Sequence, residues 1–492
     1  MWSWGGRSPA SRHESGEILF ARGASGRMLH AVVVRSPLSG ERRETLSPHT
    51  PRPRSPSMFI ARFVYAVALA SFVGAAALAQ SSVPAVFVAN NGNLEGSVSS
   101  FVVNPDGTVT LKERYITGTR PSTSVFEPGC NAYAASLSPN GRHLVTSHAA
   151  GSSSPVQQLS MFRVHDDASI EFLAAFSTPT SPLGIAWITN DLLAVTRTGG
   201  SSNGVYVYRY NPFAPGGPTL TNIDIKIVGS FTSYLAAHPS GKYLYASNSL
   251  GGSSLFVFEV NPNGTLTQIQ EFVTPALPLG PGISADGRLL YAGGGISAGG
   301  KAVIGATIDS AGMLAALPDA PWTSPGASPK QVVLTPDNAF AAVAHGTDSS
   351  VRIFSVDEMT GDLTYTGGTV SIGIQGSLGE IGIMDNLLFA CDRDTIGDGE
   401  RGLRAYEIDA AGLLTPTGPI VDTGGIAPNG IAVWKPCPGD ANGDGVVDFA
   451  DLSAVLANFG ESGSDVPGDV TADGVVDFAD LSVVLANFGS EC

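Results

Sequence analysis

The chain has 492 residues, enough for two or three domains. Sixty glycines, 33 prolines and only 14% charged residues suit a turn-rich β protein, and four cysteines are too few for a disulfide-built scaffold. A formal charge of −16 with no basic patch excludes nucleic acid as an expected partner.

Residues 1–57 are rich in Arg, Ser and Pro and show no hydrophobic period. They read as a mis-assigned start, with Met58 the true one, or as a disordered lead. Residues 58–79 join Arg62, an apolar run over 63–76 and a small-x-small site at Ala77-Leu78-Ala79. That is the pattern of a cleaved secretory signal peptide. The expected location is secreted or extracellular, with attachment to a cell surface as a further option. After cleavage no apolar stretch is long enough to span a bilayer. Residues 1–79 are net basic, so the exported remainder is more acidic than the whole.

Residues 80–434 alternate two turn signals. One lies in SPNGRHLVTSH (138–148), HPSGKYLYASN (238–248), SADGRLLYAGG (284–294) and TPDNAFAAVAH (335–345), with shorter forms at 189–197 and 384–392. The other follows a strand of alternating β-branched and aromatic residues, as in FVVNPDGTVT (101–110) and FEVNPNGTLT (258–267). The pair recurs about every 49 residues, a spacing that predicts four-stranded propeller blades. Seven blades are expected. The first repeat lacks its innermost strand, and one spare segment of that type occurs at 425–434. Residues 427–434 are therefore expected to pair beside 85–90 and close the ring.

The blade repeats resemble the seven-bladed lactonase or YVTN-type propeller family across 84–435. The motifs that carry the resemblance consist mostly of turn and core residues, so they specify architecture more than activity. One equivalent residue per blade falls at the end of the second strand: Asn90, His148, Arg197, Asn248, Gly294, His345 and Asp392. Six of the seven are polar, and together they form a candidate ligand ring around the channel mouth. His148, His345 and Asp392 could hold a metal or serve as base and carbonyl polariser, and Arg197 could bind an anion. These four are the catalytic candidates. Lactonase-type relatives show an Asn-Glu pair at such a strand end, whereas this chain has Asn248-Ser249. No catalytic set is complete, so a binding or scaffold role for a glycan, protein or small ligand is expected, with hydrolysis of sugar lactones as the alternative. Cys130 and Cys391, in neighbouring blades, leave a bond open, and Asp392, Asp394 and Asp398 lie in an acidic loop that fits no standard metal template.

Residues 435–492 carry one acidic loop twice, DANGDGVVDFAD (440–451) and DVTADGVVDFAD (469–480). Oxygen ligands fall at positions 1, 3, 5, 9 and 12: Asp440, Asn442, Asp444, Asp448 and Asp451, then Asp469, Thr471, Asp473, Asp477 and Asp480. Val446 and Val475 at position 7 would add backbone carbonyls. A hard cation that takes six to eight oxygens suits this set, so two Ca²⁺ ions are expected. Short helices follow, with Val455, Leu456 and Phe459, and Val484, Leu485 and Phe488, expected on one face. The duplicate resembles a type I dockerin, which implies a small all-α module of paired loop-helix units that docks onto a cohesin-like partner. Phe449-Ala450 and Phe478-Ala479 occupy the positions that help choose the partner in that family. Cys437 and Cys492 bracket the module as in cysteine-bracketed bacterial dockerins, which implies a bond clasping its ends. The expected whole is mainly β: a seven-bladed propeller followed by this dockerin-like module.

Overall fold

In a computed structural model of the chain, left-handed backbone sits at Gly141 (φ 68°), Gly241 (67°), Gly287 (73°), Asn338 (59°) and Asp385 (54°). Each opens the second strand of a blade. Only Gly, or a short polar residue that bonds its own backbone, adopts this conformation at low cost, which explains the repeating turn signal. The structure describes residues 82–120, 128–149, 158–178, 181–198, 203–249, 252–295, 300–393, 401–442, 446–463, 466–471 and 473–490. Segment 1–57 and the expected leader 58–79 lie outside these residues.

The described strands form seven antiparallel sheets, six with four strands and one with five. Chain order gives the innermost strands of blades two to seven as Ala132–Leu137, Pro182–Trp187, Thr232–Ala237, Leu279–Ile283, Pro329–Leu334 and Leu378–Met384. Blade one is built from both ends. Its innermost strand, Pro428–Trp434, pairs with Ala85–Asn91, Val88 lying opposite Ile431. The ring thus closes through the spare segment, as the missing first strand predicts, and no sheet edge is left open between first and last blades.

Second strands are buried on both faces, as in His143–His148, while outer strands such as Val109–Thr119 are largely exposed. Between blades two and three, Trp187, Tyr206, Tyr208 and Tyr210 pack on Val145, Leu159 and Met161. Each such side chain contributes about 1.5–3 kcal/mol by leaving water. Trp434, at the far end of the closing strand, lies so close to Gly141 that a Cβ there would sit 2.0 Å from the indole nitrogen. The chain therefore leaves the propeller from the face of the first-to-second-strand turns, and Lys435 pairs with Asp385 there at 2.8 Å.

The tail holds two short helices, Phe449–Ala457 and Phe478–Ala486, begun by Asp448 and Asp477, each with a reciprocal capping box. Val447, Val455, Val476 and Val484 form its fully buried core. The repeats interlock: Val447 N–H donates to Ser490 O at 2.9 Å and Val476 N–H to Glu461 O at 3.0 Å. Phe449 meets Phe488, and Phe459 meets Phe478, each edge-on at 5.0 Å. The expected shared helix face is corrected here. Only Val455 and Val484 turn inward; Leu456 (57% exposed) and Leu485 (56%) face solvent, and Phe459 and Phe488 lie beyond the helix ends. Cys437 is disulfide-bonded, and Cys492 lies outside the described residues. Among the described residues no helix is long and apolar enough to cross a membrane.

Candidate active site

The polar ring read from the sequence sits where each second strand ends, but its side chains are engaged by their own blades. His148 is buried, with Nε2 2.9 Å from Ser160 Oγ and Nδ1 3.3 Å from Cys130 O. His345 is equally buried, with Nε2 2.7 Å from Ser324 Oγ and Nδ1 3.3 Å from Ser350 O. Burial lowers both imidazoles to about 4, so they are neutral at pH 7. Asp392, with no exposed surface, accepts from Arg404 Nε at 3.0 Å and Nη2 at 2.9 Å, and from Ser377 Oγ. Asn90 donates to Ser97 and Ser99 and accepts from Thr423 Oγ1. Asn248 Oδ1 accepts from the amides of Ser230 and Phe231. Arg197 donates to Tyr206 Oη at 2.5 Å and lies over that ring, and the cavity beside it measures about 10 Å³, room for one water at most. Gly294 brings no side chain. The ring fastens loops to blades: His148, Arg197, His345 and Asp392 each commit polar atoms to nearby protein groups.

One step inward the arrangement differs. Each innermost strand breaks register near its start: between Ala132 and Ala135, Pro182 and Ile185, Thr232 and Leu235, Leu279 and Gly282, Pro329 and Gln331, and Leu378 and Ile381. In blade one the closing strand skips Asn429. A bulge leaves its extra residue unpaired and re-aims the side chain. The residues in these breaks include Tyr133, Tyr234, Lys330, Glu380 and Asn429. Arg393 follows Asp392, which lies opposite Leu378 in blade seven.

The strands are then stapled to one another around the axis. Lys330 Nζ donates to Leu378 O at 2.6 Å. Gln331 holds both the N–H and C=O of Ile381, at 2.9 and 3.1 Å, next to Glu380. Glu380 Oε2 accepts from Ile431 N–H at 3.4 Å, and Asn429 donates to Tyr133 O at 2.7 Å. These contacts fix the backbone beneath the cluster.

Electrostatics bind the group together. Burial raises the Glu380 carboxyl to about 7, against the opposing pull of Lys330, the Ile431 amide and Arg393. Burial lowers the Lys330 ammonium to about 8, with Glu380 opposing the shift and Arg393 adding to it. Burial also raises the Tyr133 phenol, and Tyr133 in turn raises that of Tyr234 well above its ordinary value. A carboxyl and an amine brought to within about a unit of each other near neutrality are an acid-base arrangement, and such shifts concentrate at functional sites. Sequence reading missed this set because the bulges break the strand alternation. The available signal was a polar residue near the start of five of the seven innermost strands: Tyr133, Tyr234, Lys330, Glu380 and Asn429.

Cys130 and Cys391 are both buried thiols, so they make no disulfide with each other. Asp394 and Asp398 lie outside the described residues.

In the tail the expected calcium ligands hold their loops. Asp451 accepts from the amides of Ala441, Asn442 and Asp448, and Asp480 from those of Thr471 and Asp477. Asp469 accepts from the amides of Asp473 and Gly474. Burial, with Asp480 and Asp473 nearby, raises the Asp469 carboxyl to about 6. Asp469, Thr471, Asp473 and Asp480 are hard oxygen donors, so the donor chemistry of the second loop would suit Ca²⁺. Asp440, Asn442 and Asp448 flank the first loop, and Asp444 lies outside the described residues. Among the described residues no three His, Cys, Asp or Glu side chains are gathered closely enough to hold a metal.

The family model described as Lactonase, 7-bladed beta-propeller matches residues 191–298. No curated protein sequence matches the chain. Among solved structures, the chain is similar to the Pseudomonas aeruginosa periplasmic gluconolactonase, with 17% identity, TM-score 0.56, and coverage of 72% of this chain and 100% of that one. A putative 6-phosphogluconolactonase from Bacteroides uniformis gives 17% identity, TM-score 0.57 and the same coverage. Another from Bacteroides fragilis gives 20% identity, TM-score 0.54, and coverage of 73% and 99%. At these identities the likeness concerns the fold. The body of this protein is a seven-bladed β-propeller, similar over residues 191–298 to the lactonase propeller family.

Proposed function

We propose that the protein is a lactone hydrolase whose site is the channel mouth formed by Tyr133, Tyr234, Lys330, Glu380 and Arg393. The observation that carries this reading is the placement of Lys330 and Glu380 in the bulges of adjacent innermost strands, Lys330 Nζ on Leu378 O at 2.6 Å and Glu380 on the Ile431 amide at 3.4 Å, where burial raises the carboxyl and lowers the ammonium. The similarity to gluconolactonase structures supports it. Ionised Glu380 takes a proton from the water that attacks the lactone carbonyl carbon. The ring C–O bond then breaks, and the proton passes from Glu380 to the departing alkoxide. Lys330, still an ammonium below about 8, donates to the carbonyl oxygen as negative charge builds on it. Tyr133 and Tyr234 keep their phenolic protons at neutral pH and donate to substrate hydroxyls. Proton release from neutral sugar lactones, followed in a pH-stat with wild type and Glu380→Gln, tests the reading. Equal turnover by both would remove it.

A second reading concerns the tail and is favoured by the twofold repetition of its caps, core and aromatic pairs. We propose that residues 435–492 form a dockerin-like module that two Ca²⁺ ions set and that attaches the exported protein to a cohesin-like partner. The propeller then serves as cargo, and the tail leaves it from the face opposite the mouth. Calorimetric titration of calcium into the purified chain tests this; no binding heat at millimolar calcium would end it.

A further inference from the structure

The channel mouth is unevenly charged. Lys330 is engaged with Leu378 O and offsets the carboxylate of Glu380. Arg393 differs from the other arginines of the blade: Arg404 is paired with Asp392, and Arg401 lies 4.0 Å from Asp422. The Arg393 guanidinium has no ion-pair or hydrogen-bond partner among the described residues, and its Nε is buried away from solvent. A buried guanidinium nitrogen without an acceptor is costly, so a ligand that supplies one gains from it. The fork geometry of Arg matches a planar carboxylate bidentately. With Glu380 ionised, Lys330 and Arg393 leave one uncompensated positive charge. A monoanion neutralises that charge, whereas a phosphate dianion overshoots it.

We propose that the mouth selects a lactone bearing one carboxylate, the monolactone of a sugar diacid, whose anion pairs with Arg393 while the ring carbonyl lies between Lys330 and Glu380. This rests on the reading of the mouth as a lactone-hydrolysing site.

The test uses the purified full chain at pH 7.5 and matched substrates. D-Glucaro-1,4-lactone carries a carboxylate where D-glucono-1,4-lactone carries a neutral hydroxymethyl group, and 6-phospho-D-gluconolactone supplies the phosphate arm. Expected is a kcat/KM at least about tenfold higher for the glucarolactone than for the neutral lactone, mostly through KM. Arg393→Met should bring that ratio close to one. Arg393→Lys, which keeps the charge and loses the fork, should leave an intermediate ratio and covers the case in which the Met variant does not fold. Equal turnover of charged and neutral lactones overturns the inference and leaves the hydrolase reading standing. Preference for the phosphorylated lactone overturns it in favour of a dianion. If no lactone is turned over, calorimetry with D-glucaro-1,4-lactone and D-glucono-1,4-lactone themselves decides. Arg393-dependent binding of the glucarolactone alone keeps the anion site and sinks the hydrolase; binding of neither, or of both equally, sinks both.

Discussion

Glu380→Gln isolates the proposed base with little disturbance of its surroundings. The amide has the same shape, and its carbonyl oxygen can still accept from Ile431 N–H, which reaches the carboxylate at 3.4 Å. What is lost is the capacity to take a proton. A positioned general base contributes about 10²–10⁴-fold, so kcat should fall by that factor with unfolding temperature nearly unchanged. The pH profile gives a sharper reading. In the wild type, activity should rise through about 7 as Glu380 ionises and fall above about 8 as Lys330 loses its proton. In the variant the acid limb should vanish. The alkaline limb should move to lower pH, because the carboxylate that favours the Lys330 ammonium has gone while Arg393 still opposes it. Proton release by pH-stat on a 1,4-lactone from pH 5.5 to 9 measures all three. A variant within about threefold of wild type, with its acid limb intact, would take Glu380 out of the chemistry.

Other outcomes follow from contacts already described. His148→Ala removes the partner of Ser160 and Cys130 O inside blade two, so it should cost about 1–3 kcal/mol in denaturant unfolding while kcat on the neutral lactone stays near wild type. A catalytic collapse without destabilisation would return His148 to the site. Asp392→Ala strands the Arg404 guanidinium beside a fully buried position and should cost about 3–5 kcal/mol, read as a lowered unfolding midpoint. In the tail, chelation at pH 7 should raise hydrogen exchange across 446–490 and leave the propeller strands unchanged, since binding energy there is also folding energy. Identical exchange with and without chelator would contradict the metal assignment. Because protons compete for Asp469 near pH 6, calcium affinity should weaken as pH falls through that value.

The fold was largely legible because turn chemistry is local. Gly141, Gly241, Gly287, Asn338 and Asp385 must adopt left-handed backbone, and that requirement shows in the sequence as a repeating residue type. Ring closure was legible for a similar reason: blade one lacked a strand and the far end of the chain held a spare. The site was not. Strand alternation tells which residues share a face, but His148 and Asp392 end buried in their blades, where Ser160 and Arg404 claim them. Tyr133, Tyr234, Lys330 and Glu380 reach the axis through bulges, which the period-two pattern cannot register. Leu456 and Leu485 misled in the opposite direction, since nine-residue helices bury only a narrow stripe and leave these two outside.

The closing strand has a consequence for how the protein comes into being. Ile431, whose amide caps Glu380, and Asn429, which holds the Tyr133 backbone, are supplied by residues 428–434 and complete a blade begun at Ala85. A nascent chain halted before this point has at most six whole blades and lacks these two contacts of the channel mouth. The channel mouth is therefore complete only when synthesis is all but over, and a product that ends upstream of Pro428 lacks two of its backbone anchors as well as the tail.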